Sequence, residues 1–369
     1  MATLRYVSIV VAALIGVAAL AVFGWFSSCQ GRMQECYASF RGAADNTDLI
    51  MRERQRAIYA GFAASHSTVA FPMPLTDGRL GIVMINRSTG LPSLVAPAGY
   101  THWSPNFSRN GERLLLLRQI KGNSETELVS CKTEAWQCDV LYKTDSVISS
   151  VADIDDGTVI VSMSIRQSGD HERRRRFDLY VIRRGQHPER LTEYEAYTMS
   201  SLSVAADKIA FAAEGGVGLE PPRCGKTDRS KCDESNIYVL DLVRSKLAVA
   251  NRPSTLRPTL VASGYTVAVA LSGDGTRVAL RNTARRGNPW RYNVIIAGLD
   301  GAVDRQIDVE GYAFSSGVFV GETFLVNELF DDRYRVRALN LSTRQRHDLQ
   351  FDFSATTSAE PMPITLSFS

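Results

Sequence analysis

The chain is poor in the residues that carry most enzyme chemistry. It holds five histidines in 369 residues, and His66, His102, His171, His187 and His347 are scattered through loop-like sequence. There is no H-E-x-x-H, no G-x-S-x-G elbow, no Walker loop and no G-x-G-x-x-G opening a helix. Those absences exclude the common zinc-protease, hydrolase-elbow, P-loop and dinucleotide-binding designs. A strong charge of one sign is also missing: 42 Lys and Arg face 39 Asp and Glu, a net +3. Global electrostatics therefore does not select nucleic acid, and any basic surface must be local. From about Thr68 onward no long stretch follows a helical period of 3.6, which excludes a helical bundle.

The one long apolar run lies at the start. Tyr6 to Phe26 contains no charge and is long enough to cross a hydrocarbon core of roughly 20 residues. Arg5 precedes it and Trp25 sits at its far end, where an indole favours the interface. The expected layout is residues 1–5 in the cytoplasm, a transmembrane signal-anchor helix over 6–26, a partly helical connector over 27–66, and a domain over 67–369 outside the cytoplasm, in the periplasm or an equivalent space. A cleaved signal peptide is the rival, but its apolar region is normally about 7–15 residues and ends in small residues. Phe26-Ser27-Ser28-Cys29 is a poor lipoprotein cleavage box.

Six cysteines fall in three near-neighbour pairs: Cys29 with Cys36, Cys131 with Cys138, and Cys224 with Cys232. A short loop returning on itself brings two Cα atoms within disulfide range, and even pairing fits an oxidising compartment. No pair has C-x-x-C spacing, and no histidine stands at ligand spacing from a cysteine, so metal is the weaker reading. No metal or cofactor is expected.

Beyond Thr68, short runs of Val, Ile, Leu and Tyr alternate with Gly, Asp, Asn and Pro. An apolar strand followed by a polar turn recurs six times, beginning with Ile82–Asn86 and ending with Val336–Asn340. A second piece alternates with it, in which an Asn-Gly or Asp-Gly turn leads into an apolar strand, as in Asn110-Gly111 before Arg113–Leu117 and Asp274-Gly275 before Arg277–Leu280. Together they give about four strands per repeat of roughly 40–50 residues, the period of a propeller blade. The expected fold is all-β: a β-propeller of six four-stranded blades over approximately 67–102, 103–147, 148–197, 198–257, 258–312 and 313–354. The strand-like tail Pro363–Phe368 is a candidate to complete a blade begun near Thr68 to Phe71.

Trp103-Ser104-Pro105 with Gly111-Glu112-Arg113-Leu114, and Leu271–Ala279, resemble the WD40-like (PD40) repeat W-S-P-D-G-k-x-l-a-f of TolB-type propellers and prolyl oligopeptidase relatives. Phe177–Val181 with Arg190-Leu191-Thr192, and Asn236–Asp241, resemble its companion half. In this alignment the Trp103 copy carries an insertion, Phe107 to Asn110. The resemblance implies the fold and, by analogy with TolB-type propellers, a protein-binding role in the cell envelope. The hydrolase domain of the prolyl oligopeptidase relatives has no room here.

Two arginine clusters stand out. Arg173, Arg174, Arg175 and Arg176 belong to a hairpin tip, and Arg285, Arg286 and Arg291 occupy the equivalent loop two blades later. Guanidinium forks bind carboxylate and phosphate, so these loops are candidates for an anionic ligand or protein partner. Asp153, Asp155 and Asp156 form an acidic cluster without calcium-loop spacing and read as a solvated turn. The functional expectation is a membrane-anchored extracytoplasmic scaffold; the alternative is a propeller hydrolase, lyase or solute-binding protein using the central funnel. Nucleic acid is not an expected partner.

Overall fold

The computed structural model describes most of residues 61–351. Residues 1–60 and 352–369 lie outside the described residues, as do the connections 76–78, 165–175, 220–235, 243–255, 284–291, 310–312, 331–332 and a few single positions or pairs. The expected transmembrane segment, the helical connector and the strand-like tail all fall there. Among the described residues no helix is long and apolar enough to cross a membrane.

The described strands form six four-stranded antiparallel sheets, each built from consecutive strands. Blade 1 holds β1 (Ala63–Ala64), β2 (Thr68–Pro74), β3 (Leu80–Asn86) and β4 (Pro92–Val95). Blade 2 holds β5 (Tyr100–Phe107), β6 (Arg113–Ile120), β7 (Thr126–Lys132) and β8 (Cys138–Thr144). Blade 3 holds β9 (Val147–Asp155), β10 (Thr158–Ser164), β11 (Asp178–Arg183) and β12 (Glu189–Arg190). Blade 4 holds β13 (Thr198–Ala205), β14 (Lys208–Glu214), β15 (Asn236–Asp241) and β16 (Thr259–Ala262). Blade 5 holds β17 (Thr266–Leu271), β18 (Arg277–Thr283), β19 (Tyr292–Gly298) and β20 (Val303–Val309). Blade 6 holds β21 (Ala313–Val320), β22 (Thr323–Phe330), β23 (Arg333–Asn340) and β24 (Arg346–Phe351). The first strand of each blade touches the first strand of the next, and β21 returns to β1, so the ring is closed.

The repeat phase differs from the sequence expectation. The 102/103 boundary cuts β5, and β16 pairs with β15 of blade 4 although it lies beyond the expected end at 257. The cause is the turn motif. Ser272 N donates to Arg277 O, Gly275 N to Ser272 O and Arg277 N to Ser272 Oγ. Ser108, Gly111 and Arg113 make the same three bonds. Ser108 thus corresponds to Ser272, there is no insertion at Phe107–Asn110, and Trp103-Ser104-Pro105 lies further back in the inner strand. Gly111 and Gly275, at φ 77° and 67°, take the left-handed position that the turn requires. Hydrogen bonds from Ser272, then Thr276, hold the Asp274 carboxyl down at about 2.

Apolar side chains fill the wedges between blades. The second strands are buried along most of their length because a blade covers each face, as in Leu114–Leu117 and Val159–Ser164. Full burial of each such leucine is worth about 1.5–3 kcal/mol. Between blades 3 and 4 the rings of Tyr194, Phe211 and Tyr238 stack with centroids 6.0 and 5.6 Å apart.

Blade 1 supplies its own inner strand, but β1 pairs β2 only at Val69 and Ala70. Ser65 N donates to Thr68 O while Arg87 N donates to Ser67 O, so even-numbered residues of β2 face the inner edge. Beyond Ala70 those positions are Pro72 and Pro74, which have no N–H. A further strand added there would find acceptors only, which argues against completion of blade 1 at this edge by the tail.

Candidate functional site

The inner strands β5, β9, β13, β17 and β21 are all bulged. Extra residues stand at Ser104-Pro105, Ser149, Ser201-Leu202, 267–268 and 315–316. A bulge adds one residue against the partner strand and bends it, which suits a strand curving around an axis. Ser104 and Ser201 both sit at φ 55°, a strained conformation for a non-glycine residue that costs about 1 kcal/mol or more. Gly61 approaches the first of these bulges so closely that a Cβ on it would lie 3.0 Å from Pro105 Cδ.

These strands enclose a central cavity of about 630 Å³, lined from all six blades. The lining reaches the first turns of the blades, at Ser65–Ser67, Ser108–Gly111, Gly273 and Gly321, but not the strand starts at Tyr100 or Thr198. The cavity therefore occupies the half of the channel nearer those turns, here called the turn face. Its wall is rich in hydroxyls, including Ser108, Ser149, Ser150, Ser200, Ser201 and Ser203. Some of them tie neighbouring blades. Ser149 and Ser162 donate to Met199 O, and Ser203 Oγ accepts from Leu271 N at 2.9 Å.

At the mouth, Arg109 reaches across three blades. Its backbone N donates to Asp153 Oδ2 at 3.0 Å, and its Nη2 lies 3.4 Å from Ala206 O. This places an exposed guanidinium beside the opening, where it can meet a carboxylate or a peptide carbonyl. Asp153, read from sequence as part of a solvated turn, lines the cavity instead. Among the described residues no group of three His, Cys, Asp or Glu is placed to hold a metal ion.

Of the residues singled out by sequence, Cys131 and Cys138 are bonded, S–S 2.03 Å, as directly opposed residues on β7 and β8. Cys29, Cys36, Cys224 and Cys232 lie outside the described residues, as do Arg173, Arg174, Arg175, Arg285, Arg286 and Arg291. Arg176 is exposed, with its guanidinium 4.6 Å from the Tyr197 ring centre, and Nη1 lies 3.4 Å from Glu195 O. The loops that carry both arginine clusters join the second strand of a blade to the third, β10 to β11 and β18 to β19. They therefore leave from the same face, opposite the turn face.

The companion motif is a structural staple. Asp178 is buried and accepts from Thr192 Oγ1, Tyr194 N and Glu195 N on one oxygen, and from Arg190 Nη2 at 2.7 Å on the other. Burial pushes its carboxyl above the usual range, partly offset by Arg190 and the backbone donors. Sequence reasoning missed Arg109 and the serine ring. A signal was present for the latter: Ser149-Ser150 and Ser200-Ser201 lie in inner strands of different blades.

Closed by radial repetition, this is a six-bladed β-propeller. Its fold is TolB-like. The crystal structure of TolB from Acinetobacter baumannii matches with TM-score 0.57 and 13% identity, covering 77% of this chain and 63% of that one. A putative TolB from Agrobacterium tumefaciens matches with TM-score 0.51 and 12% identity, covering 73% and 88%. The chain thus spans less than two thirds of the Acinetobacter protein. No family model matches the sequence, and no curated protein does.

Proposed function

We propose that the protein is a membrane-anchored, extracytoplasmic protein-binding module of the cell envelope, and that the turn-face mouth of its channel receives the partner. The reading rests on one observation: a TolB-like ring whose central cavity is walled by hydroxyls and bulged backbone, with the Arg109 guanidinium at its mouth. Such a wall offers hydrogen bonds to an extended chain. The apolar run at 6–26 would supply the anchor, and the Cys131–Cys138 bond is in keeping with an oxidising compartment.

A photo-crosslinking residue placed at Ser67 or at Ser108 in native membranes tests this. The expected result is the same envelope protein captured from both positions, but not from Val140 on an outer strand, with yield reduced in Arg109→Ala. Capture of no protein, together with a small molecule retained in the channel of the purified protein, would replace the module with a solute-binding protein or an enzyme.

A further inference from the structure

Among the described residues, blade 2 alone closes a hairpin covalently: Cys131 on β7 and Cys138 on β8 are bonded across the turn that joins those strands. That turn lies on the turn face, because the third strand of a blade runs back toward it. Two ties fix it to the first turn of the same blade. Thr133 donates through both N and Oγ1 to Glu112 O, each at 3.0 Å. Arg113 reaches the residues next to each cysteine: Nε donates to Ser130 Oγ at 2.6 Å, and Nη2 to Ser130 O at 2.8 Å and Asp139 Oδ2 at 3.0 Å. Between Ser108 and Arg113 the first turn carries Arg109, the guanidinium at the cavity mouth. Main-chain bonds like that of Thr133 join Leu242 to Asp207 and Leu341 to Glu322, so this contact belongs to the blade design. The covalent closure, the Arg113 bridge and Arg109 are what blade 2 adds.

The closed hairpin also holds unfavourable groups in place. Trp136 sits at φ 48°, a left-handed conformation that disfavours any residue with a Cβ. Its indole Nε1 is buried without a hydrogen-bond partner among the described residues. The ring meets that of His102 edge-on, with centroids 6.3 Å apart. Trp136 and Cys138 pack against the apolar cluster between blades 1 and 2. Cys131 has no exposed surface, whereas Cys138 is part-exposed on the edge strand. An attacking thiolate therefore meets the Cys138 sulfur first.

We infer that thiol–disulfide exchange at Cys131–Cys138 regulates the channel mouth, with the dithiol of a reducing oxidoreductase as the reactant. This rests on the docking reading above. One thiolate of the dithiol bonds to Cys138 Sγ, and the S–S electron pair leaves on Cys131, which takes up a proton. The second thiolate then attacks the mixed disulfide and releases Cys138, which is protonated in turn. The pair gains two electrons and two protons, and the dithiol loses both and becomes a disulfide. With the hairpin open, Trp136 leaves its left-handed conformation. Ser130 and Asp139 are no longer held in register for Arg113, and the first turn loses the support that places Arg109. The oxidised chain presents Arg109 to the partner; the reduced chain does not. By linkage, a bound partner favours the oxidised pair.

The test uses the full chain, in lipid nanodiscs for hydrogen exchange and in native membranes for capture. Dithiothreitol is the dithiol, and mass spectrometry after alkylation reads each cysteine pair separately. The expected result is reduction of Cys131–Cys138 with the cooperative thermal transition retained, and exchange at the Arg109, Gly111 and Arg113 amides accelerated roughly tenfold. The turn Ser272–Arg277, which makes the same bonds without a disulfide, is the internal reference and should not change. Capture from a photo-crosslinking residue at Ser67 should fall by a similar factor in the reduced chain. A chain with Cys131→Ser and Cys138→Ser should behave as the reduced form with or without dithiol. Acceleration confined to 131–138, equal acceleration in the blade 5 turn, or a bond reduced only on unfolding overturns the proposal. So does a dithiol effect on capture that persists in the double serine chain, because another cysteine pair would then cause it. Absence of capture from the oxidised parent refutes the docking reading instead, and the exchange comparison still decides whether the disulfide governs the turn.

Discussion

Replacing His102 with leucine should abolish a large part of the protein's loss of stability between pH 6.5 and pH 4. His102 lies on β5 in the wedge between blades 1 and 2, with no exposed surface and no hydrogen-bond partner at either ring nitrogen. The Tyr100 ring centre lies 6.1 Å from it and that of Trp136 6.3 Å, and Arg118 is its cross-strand neighbour. Burial, then the charge of Arg118, push its pKa down to about 4; the Leu80 backbone opposes this, and Arg79 adds to it. The unfolded chain takes up this proton near pH 6.5, but the folded chain resists it until about pH 4. Stability is therefore unaffected by this group above pH 6.5, falls as pH drops through the window, and levels off below it. A shift of this size corresponds to about 3 kcal/mol. At neutral pH the leucine variant should be as stable as the parent or slightly more so, because it leaves no buried nitrogen unpartnered. Glu127 does not obscure the window. Burial raises its carboxyl, but hydrogen bonds and charges from Lys143 and Arg118 outweigh this and hold it below its usual value. Its contribution is thus lost only below about pH 4.5. Urea unfolding of parent and variant at pH 7, 6, 5 and 4.5 measures the difference directly. A difference that stays constant over that range would refute the reasoning.

Three other outcomes follow from the described contacts. Replacing both Cys131 and Cys138 with alanine should cost roughly 2.5 kcal/mol by releasing a short closed loop, seen as a lower thermal midpoint, and a reductant should bring the parent toward the variant. Asp178→Ala strips Arg190, Thr192 and two backbone N–H groups of their acceptor and should cost about 3 kcal/mol, read by chemical denaturation. Ser108→Ala and Ser272→Ala should each cost about 1 kcal/mol, whereas Ser104→Ala, outside the turn motif, should not reproduce that turn-specific loss; hydrogen exchange of the Arg113 and Arg277 amides, which donate to the Ser108 and Ser272 hydroxyls, distinguishes the cases.

Six blades of four strands were legible in the sequence because a strand covered on both faces must be apolar throughout, and runs such as Arg113–Leu117 and Val159–Ser162 repeat. The phase was not, because Trp103-Ser104-Pro105 looks like the turn motif while the hydrogen bonds that define the turn belong to Ser108. A serine hydroxyl four residues away has the same composition and a different role. The disulfide at Cys131 and Cys138 was legible from spacing, since a tight hairpin opposes its two ends. The channel wall was not. Its polarity comes from bulges, and a bulge is a change in pairing register that leaves little trace in hydrophobic pattern. Arg109 looked like one more turn residue until the ring brought Asp153 and Ala206 of other blades beside it. His102 gave no signal at all, because burial arises from the packing of blade 1 over blade 2.

Blade 1 owns all four of its described strands, and Pro72 and Pro74 close its inner edge to a fifth. Among the described strands, the first blade is finished by Val95 and takes none from the last. A chain emerging N-terminus first, through a ribosome or a translocation pore, completes one blade before the next begins, without holding a half-made sheet open for a distant strand. The ring is then sealed by side-chain packing where β21 meets β1, a seam without shared backbone hydrogen bonds among the described strands. Under mechanical load, or in mild denaturant, that seam is where the circle parts first, and the blades on either side of it are the ones whose amides exchange together.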